Sequence, residues 1–167
     1  MSLKTKGSKI KIVLTDVDGV LTDGGMYYTE KGDIMKKFHA RDGMGVTLLR
    51  RIGIPTIIVT KEKNKIIKQW ATKMKVSKVY DGILRKEEIL KIICKKFDVI
   101  PQQVAYIGDD VNDIELLKKV GFSITPNDAI KEAKKNCDYV CKNNGGNAAF
   151  REVVDLIYLT QKHKIEY

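Results

Sequence analysis

The sequence has few of the residues that mark several classes of protein. Only three cysteines occur in 167 residues. Cys137 and Cys141 lie four apart, but no second cysteine pair or nearby histidine completes a zinc set. We therefore expect Cys94, Cys137 and Cys141 to be reduced, partly buried thiols. No apolar run approaches the length of a bilayer span, and no charged-then-apolar leader opens the chain, so we expect a cytoplasmic protein without a membrane partner.

Acidic residues are fewer than basic ones. The chain has 31 Lys and Arg against 21 Asp and Glu, for a formal net charge of +10. The lysines are scattered along nearly every predicted helix, and no cluster of arginines and aromatic residues suggests base stacking or groove recognition. We therefore expect no nucleic-acid partner. The positive field would instead help to gather a small anionic substrate.

Strand-like and helix-like segments alternate along the whole chain without a linker or an internal repeat. We predict one domain over residues 1–167, with residues 1–9 a mobile lead-in. The predicted strands are 10–14, 54–60, 76–80, 104–107, 122–125 and 139–140, and the predicted helices are 42–52, 62–74, 86–97, 112–120, 129–135 and 148–162. A β-hairpin with strands 26–28 and 34–38 follows the first strand. This order predicts an α/β fold, with a Rossmann-like parallel sheet covered by helices on both faces.

Two carboxylates follow the first predicted strand. Asp16 and Asp18 come directly after an apolar run, and Gly19 allows a sharp turn behind them. Residues two apart in extended chain point to the same side, so both carboxylates face one small volume. Two such anions repel each other unless a cation or a shared proton lies between them, and Mg²⁺ suits that position. Taken alone, the pattern is equally typical of a strand that ends in a polar turn.

More chemistry-bearing residues follow the other predicted strands. Ligands of parallel sheets sit at the carboxyl ends of the strands, where this sequence places the following residues: Asp16, Asp18, Thr60, Lys61, Glu62, Lys86, Asp109, Asp110 and Asp113. A carboxylate can attack phosphorus, while a hydroxyl and an ammonium hold the other phosphoryl oxygens. A second carboxyl can move the proton. The set therefore indicates phosphoryl transfer.

The motifs DVDGVLTDG, Thr60, Lys86 and GDDVND occur in the order found in the haloacid dehalogenase-like phosphatases, which this chain resembles. The resemblance implies that Asp16 is the nucleophile and Asp18 the general acid and base. Thr60 and Lys86 would bind the phosphoryl group. The resemblance also implies Mg²⁺ as cofactor. The implied ligands are Asp16, Asp109 and the backbone carbonyl of Asp18. Asp110 and Asp113 would support these ligands. Asp113 also suits an ordinary place at a helix N-terminus.

Four longer stretches narrow the resemblance to a capless branch of that superfamily: DGVLTDGGMYY, KFHARDGMG, AYIGDDVND and NGGNAAFRE. This branch includes 3-deoxy-D-manno-octulosonate 8-phosphate phosphatases, nonulosonate 9-phosphate phosphatases and phosphatase-like domains fused to sialic acid cytidylyltransferases. The resemblance implies a phosphorylated 3-deoxy-2-ulosonic sugar acid as substrate. It also implies a homotetramer, in which a neighbour's hairpin and C-terminal tail cover the active site.

The choice between the two sugar acids stays open in the sequence. Octulosonate phosphatases usually carry Ser-Gly-Arg where this chain has Thr60-Lys61-Glu62. Glu62 together with Lys73 resembles the pair of the nonulosonate enzymes, whereas residues 39–43 resemble the octulosonate type. Arg41 and Arg151 are candidate binders of the substrate carboxylate or phosphate, across subunits or within one. Arg41 could instead brace the hairpin, and Arg151 could be a surface helix residue.

Two other functions fit parts of the pattern. The chain could be a tetramerisation or regulatory module associated with a sialic acid cytidylyltransferase, but such a module has no need of Asp16, Asp18, Thr60, Lys86 and Asp109. A phosphate-accepting signalling receiver also combines aspartates with Thr and Lys. Its acidic residues come early in the chain, however, whereas here the second acidic set is far from the first.

Overall fold

The computed structural model describes residues 2–161. The strands are β1 (Ile12–Thr15), β2 (Tyr27–Thr29), β3 (Gly32–Met35), β4 (Thr56–Val59), β5 (Lys78–Tyr80), β6 (Val104–Ile107), β7 (Phe122–Thr125) and β8 (Tyr139–Val140). The helices are α1 (Leu3–Gly7), α2 (Ala40–Arg51), α3 (Lys65–Met74), α4 (Lys86–Phe97), α5 (Ile114–Leu117), α6 (Lys131–Lys135) and α7 (Ala149–Thr160). Single 3-10 turns cover Pro101–Gln103 and Val111–Asp113.

Six strands form one parallel sheet in the order β5-β4-β1-β6-β7-β8. The first strand lies inside the sheet between β4 and β6, which makes its carboxyl end the centre of the edge where ligands bind. β2 and β3 pair with each other as a separate antiparallel hairpin. The predicted α/β fold with an inserted hairpin and no cap domain is confirmed for the residues described.

The sheet has a hydrophobic core on each face. α1, α2, α3 and α7 pack on one face, and α4, α5 and α6 pack on the other. Alternation along β1 sends Val13 into the first core and Ile12 and Leu14 into the second. Because both faces are covered, the strands are continuous apolar runs, which is why they were visible in the sequence. None of the helices within residues 2–161 combines the length and apolar character needed to cross a membrane.

Residues 2–9, which the prediction placed in a mobile lead-in, contain the short helix α1 in the structure. The Ser2 side chain caps α1 by accepting the Thr5 N–H. Gly7 is buried, and a Cβ there would come within 2.5 Å of Thr160 Oγ1 on α7. The Gly7 carbonyl accepts a hydrogen bond from Gln161 Nε2 at 3.3 Å. This segment is therefore packed on the last helix. The predicted end of that helix at residue 162 lies outside the described residues.

The start of α2 also differs from the prediction. The predicted helix begins at residue 42, whereas α2 begins at Ala40 after the N-cap His39, whose Nδ1 accepts the Arg41 N–H at 3.2 Å. Asp42 lies in the first turn, is fully buried, and accepts the Arg151 N–H at 2.8 Å. Its carboxylate thus joins α2 to the beginning of α7. The predicted helix 112–120 is shorter, because the 3-10 turn precedes a four-residue α5.

Candidate active site

The carboxyl ends of β1, β4 and β6 meet at one small cavity. Asp16 follows β1, Thr60 follows β4, and Asp109 follows β6 after one glycine. The cavity has a volume of about 170 Å³, and its lining residues are Asp16, Asp18, Thr60, Lys61, Glu62, Asp109, Asp110 and Asn112. The structure therefore brings together most of the residues that the strand ends predicted.

A buried lysine joins two of the aspartates. Lys86 is the first residue of α4 and has no exposed surface. Its Nζ lies 2.6 Å from Asp16 Oδ2 and 2.6 Å from Asp113 Oδ1. Burial disfavours the ammonium, but the two carboxylates outweigh it and raise the pKa of Lys86. Two of the three ammonium hydrogens point to carboxylates, which leaves the third for a ligand.

Asp113 has a donor on every side. Its Oδ1 accepts hydrogen bonds from Lys86 and from the Tyr106 hydroxyl at 2.5 Å. Its Oδ2 accepts the backbone N–H groups of Asp109 at 2.8 Å and Asp110 at 3.1 Å. Burial and the nearby carboxylates raise the pKa of Tyr106 well above its ordinary value, so its hydroxyl stays a donor. With four donors in place, Asp113 orients Lys86 and the turn after β6.

The centre of the cavity carries more negative charge than the protein neutralises. Carboxylate oxygens of Asp16, Asp109 and Asp113 lie within 4.8 Å of one another. Burial raises the pKa of Asp16 to about 7, although Lys86 opposes it. Burial and the charges of Asp16 and Asp113 raise the pKa of Asp109 to about 8. Asp109 Oδ1 is buried and has no hydrogen-bond partner among residues 2–161. This set of oxygen donors fits a hard divalent cation, with Asp16 and Asp109 as ligands.

Asp18 and Thr60 face the same cavity in complementary ways. Asp18 Oδ1 accepts hydrogen bonds from Lys36 Nζ at 2.8 Å and Thr22 Oγ1 at 3.2 Å. Asp18 Oδ2 is buried and has no protein partner within the described chain. Thr60 Oγ1 accepts the Glu62 N–H at 3.3 Å, so the hydroxyl hydrogen can be donated to a phosphoryl oxygen.

The loop after β1 is braced by the loop before α7. Gly19 has φ +84°, and a Cβ there would come within 2.0 Å of Asp109 Oδ2. A Cβ on Gly145 would come within 1.9 Å of the Gly19 carbonyl oxygen. Gly146 has φ +63° and donates its N–H to the Val20 carbonyl at 2.9 Å. These close backbone contacts fix the loop that carries Asp18.

The predicted substrate-binding residues lie in different places. Glu62 lines the active-site cavity. Arg41, Lys73 and Arg151 are not among the described residues that line it. Lys73 is exposed on α3. Arg41 and Arg151 together line a separate cavity of about 810 Å³ beside α7, where Arg151 Nε donates to Asp155 Oδ1 at 2.7 Å. Within one chain, the two arginines therefore share a different cavity from the aspartates.

Asp110, Lys36 and Tyr106 complete the account of the site. Asp110 caps the turn that follows it by accepting the Val111 N–H at 2.7 Å. Lys36 and Tyr106 are not among the site residues predicted from the sequence. A tyrosine inside a buried strand needs a partner for its hydroxyl, and that was a usable signal for Tyr106. Nothing in the local sequence distinguishes Lys36 from its neighbour Lys37.

Comparison with known proteins gives consistent matches along the chain. Residues 56–152 match the haloacid dehalogenase-like hydrolases. The 3-deoxy-D-manno-octulosonate 8-phosphate phosphatase of Haemophilus influenzae is 35% identical over 159 residues, covering 95% of this chain and 88% of the relative. The Escherichia coli K12 protein of the same name is 35% identical over 156 residues, covering 93% of this chain and 83% of its own length.

Solved structures give the same match. The cobalt-bound H. influenzae enzyme superposes with a TM-score of 0.92 at 36% identity, over 94% of this chain and 92% of the other. The 3-deoxy-D-manno-octulosonate 8-phosphate phosphatase of Moraxella catarrhalis, in complex with a magnesium ion, a phosphate ion and a KDO molecule, has a TM-score of 0.93 at 32% identity. That match covers 96% of this chain and 92% of the other.

Proposed function

The chain belongs to the haloacid dehalogenase-like hydrolases and is a phosphatase, and from this premise we propose that it hydrolyses a phosphorylated 3-deoxy-2-ulosonic sugar acid. The first candidate substrate is 3-deoxy-D-manno-octulosonate 8-phosphate, and the second is a nonulosonate 9-phosphate. The observation that carries the proposal is the buried Lys86 between Asp16 and Asp113, at a cavity that also holds Asp18 and Thr60.

The chemistry begins at Asp16. Lys86 holds Oδ2 of this carboxylate, which leaves Oδ1 to attack phosphorus and form an aspartyl phosphate. As the bond from phosphorus to the sugar oxygen breaks, its electron pair stays on that oxygen, and Asp18 supplies the proton. Asp18 then takes a proton from water, the water oxygen attacks phosphorus, and phosphate leaves with Asp16 restored. Thr60 and the third Lys86 hydrogen donate to phosphoryl oxygens.

Mg²⁺ is the proposed cofactor. The ion would be held by Asp16, by Asp109 and by the backbone carbonyl of Asp18. Asp110 and Asp113 would support these ligands. When bound, the ion neutralises negative charge between the nucleophile and the phosphoryl group. The raised pKa values of Asp16 and Asp109 support this proposal, because a cation would keep both carboxylates ionised.

The identity of the sugar acid depends on residues around the cavity. The relatives named above favour the octulosonate, because both of them are octulosonate 8-phosphate phosphatases. Glu62 in the loop after β4, together with Lys73 on α3, favours a nonulosonate. We propose that Arg41 and Arg151 bind the substrate's negative groups only across subunits, because within one chain they line a separate cavity.

A homotetramer is the proposed assembly. Three apolar side chains on the hairpin are more than half exposed: Met26 (61%), Tyr28 (60%) and Ile34 (59%). Contact with a neighbouring subunit would bury them. The alternative of a module associated with a sialic acid cytidylyltransferase gains no support from the named relatives, which are phosphatases.

A phosphate-release panel tests the function. Purified protein with Mg²⁺ is given octulosonate 8-phosphate, nonulosonate 9-phosphates and a simple hexose phosphate, with Asp16→Asn as the matched control. We expect one sugar acid phosphate to be preferred, no turnover by Asp16→Asn, and loss of turnover when the metal is chelated. Indifference among all the compounds would reject the sugar-acid proposal. Full turnover by Asp16→Asn would reject the nucleophile.

A further inference from the structure

Lys36 is a buried lysine that has no role in the chemistry proposed above. It follows β3 directly, and only 1% of its side chain is exposed. Its Nζ lies 2.8 Å from Asp18 Oδ1, 3.2 Å from Asp33 Oδ2 and 3.3 Å from Glu62 Oε2. The three carboxylates come from the loop after β1, the hairpin itself and the loop after β4. One ammonium therefore joins three separate segments.

These three partners have different roles. Asp33 Oδ2 also accepts a hydrogen bond from the Asn64 side chain at 2.8 Å, and Asn64 is the N-cap of α3. Asp33 is therefore part of the link between the hairpin and α3. Asp18 and Glu62, by contrast, both line the active-site cavity. Lys36 thus contacts two residues of the cavity lining, but it is not itself among the described residues that line the cavity.

The two oxygens of Asp18 are not equivalent. Oδ1 is held by Lys36 and Thr22, whereas Oδ2 is buried without a protein partner in the described chain. A carboxylate held by one oxygen has a fixed plane, so its other oxygen has a fixed direction. A proton carried on Oδ2 can then be delivered in a set direction, which is the condition for efficient general acid catalysis.

We propose that Lys36 is a positioning residue that fixes Asp18 through Oδ1, so that Oδ2 carries the proton to the leaving oxygen, and that also holds Glu62 beside the sugar. The proposal rests on the proposed function. When the bond from phosphorus to the sugar oxygen breaks, the electron pair stays on that oxygen, and the proton moves to it from Asp18 Oδ2. The carboxylate left behind is already paired with the Lys36 ammonium.

The dependence on leaving group distinguishes positioning of the acid from a structural role. The sugar acid phosphate and glycerol 2-phosphate release alkoxides, which need a proton. 4-Nitrophenyl phosphate releases a stable anion and needs none. For Lys36→Met we expect kcat/KM to fall by about a hundredfold with the alkyl phosphates, since general acid catalysis contributes at least that much. With the aryl phosphate, the loss should be less than about tenfold by the same reasoning.

The chain offers a matched control in Lys37. This neighbouring lysine has a side chain that is 59% exposed, and it pairs with Asp23 at 3.0 Å. Lys37→Met should leave kcat/KM unchanged for both kinds of substrate. Lys36→Arg keeps the positive charge and should recover part of the alkyl phosphate activity. Inhibition by orthovanadate should be the same in Lys36→Met and wild type, because Lys36 contacts the acid and not the phosphoryl site.

The possible failures have different signatures. Equal losses with alkyl and aryl phosphates, or no loss with either, would overturn the positioning role while wild type stays active and Asp16→Asn inactive. Phosphate release at equal rates by wild type and Asp16→Asn would instead overturn the proposed function, and this inference with it. If Lys36→Met does not fold, Lys36→Gln and Lys36→Arg provide the same comparison of leaving groups.

Discussion

The carboxylates of the site differ in how many of their oxygens the protein occupies. Both oxygens of Asp113 carry two hydrogen bonds each, whereas Lys86 contacts one oxygen of Asp16, and Asp18 accepts hydrogen bonds through Oδ1 with Oδ2 unpartnered in the described chain. A fully bonded carboxylate can only orient its neighbours, and a half-bonded one has an atom left for chemistry. This difference separates the supporting aspartate from the two proposed to react.

Tyr106→Phe tests the support given to Asp113. The change removes one donor from a buried carboxylate, at a cost of about 1 kcal/mol in the free energy of unfolding. We also expect kcat/KM to fall about fivefold, because Asp113 would orient Lys86 less well. Tyr158→Phe is the matched control, since its buried hydroxyl donates to the Leu48 carbonyl at 2.7 Å and lines neither the active-site cavity nor the cavity of Arg41 and Arg151. It should lose similar stability and keep full activity. Unchanged activity of Tyr106→Phe would contradict the supporting role.

Asp42 gives a prediction about pH. Burial raises its pKa to about 6 from 3.8, so the folded protein holds this proton more tightly than the unfolded chain does. Its contribution to stability is therefore greatest below the unfolded pKa and is lost as the pH rises through the folded pKa. Relative to Asp42→Asn, wild type should lose up to about 3 kcal/mol between pH 4 and 6, from a shift of about two pKa units.

Denaturant unfolding at a series of pH values checks this prediction. The Asn variant keeps an oxygen for the Arg151 N–H, so the difference from wild type isolates the titration of Asp42. Asp81→Asn is the opposite control. The Lys68 partner lowers the pKa of Asp81, so its contribution is present above the unfolded pKa and is lost as the pH falls. Parallel pH profiles for wild type and Asp42→Asn would reject the assignment.

At the level of elements, the hairpin has a fixed base and an exposed tip. At its base, Phe38 stacks on Trp70 of α3 with ring centroids 4.7 Å apart and an interplanar angle of 11°. Trp70 is thus a packing residue. Thr22 and Phe38 form an isolated antiparallel bridge. The base of the hairpin is therefore held against α3 and the loop after β1, whereas the apolar side chains at the tip are exposed.

Gly146→Ala tests the brace between the loop before α7 and the loop after β1. A Cβ at this position would lie 2.3 Å from the Asp23 nitrogen, in a residue with φ +63°. Gly53→Ala is matched in backbone, with φ +75°, but has nothing within 4 Å. We expect Gly53→Ala to cost about 1 kcal/mol from the left-handed conformation alone. Gly146→Ala should cost more and also lower kcat/KM. Equal stabilities and activities for the two variants would show that the close contact is unimportant.

Local sequence patterns predicted most of the helices and strands. The residues that directly follow the predicted strands include most of the residues of the candidate active site. The bounds of α4, β6, β7 and β8 agree with the structure because continuous apolar runs or helical spacing mark them in the sequence. The burial of Lys36 and Asp42 could not be predicted from local patterns, because it depends on segments that are distant in sequence. α1 was not predicted because its stability comes from packing on α7, and five residues form no stable helix alone.

For the molecule as a whole, the net charge is positive, whereas the active-site cavity is lined mainly by acidic groups. The formal net charge is +10, whereas the lining of the active-site cavity is rich in aspartates. A positive surround favours the approach of a phosphorylated acid, and the carboxylates at the centre need a cation before an anion can bind there. The order of binding is therefore expected to be metal first.

The proposed tetramer is tested by a charge on the hairpin tip. Tyr28→Asp places a carboxylate on an apolar surface that is 60% exposed in one chain. If a neighbour covers this surface, burial of the charge disfavours assembly, and sedimentation should show smaller species. Ile92→Asp on α4, which is 56% exposed, is the control and should keep the wild-type mass. Identical masses for Tyr28→Asp and wild type would place the interface elsewhere.

The contact of Gly145 and Gly146 with the loop after β1 also bears on how the protein matures during translation. Asp16 and Asp18 are translated well before Gly145 and Gly146, whose backbone holds their loop in place. Domains fold as units as the nascent chain emerges from its N-terminus. A ribosome stalled before residue 145 therefore carries a nascent chain that has both aspartates proposed to react but lacks the brace that orders them, and it should be catalytically silent.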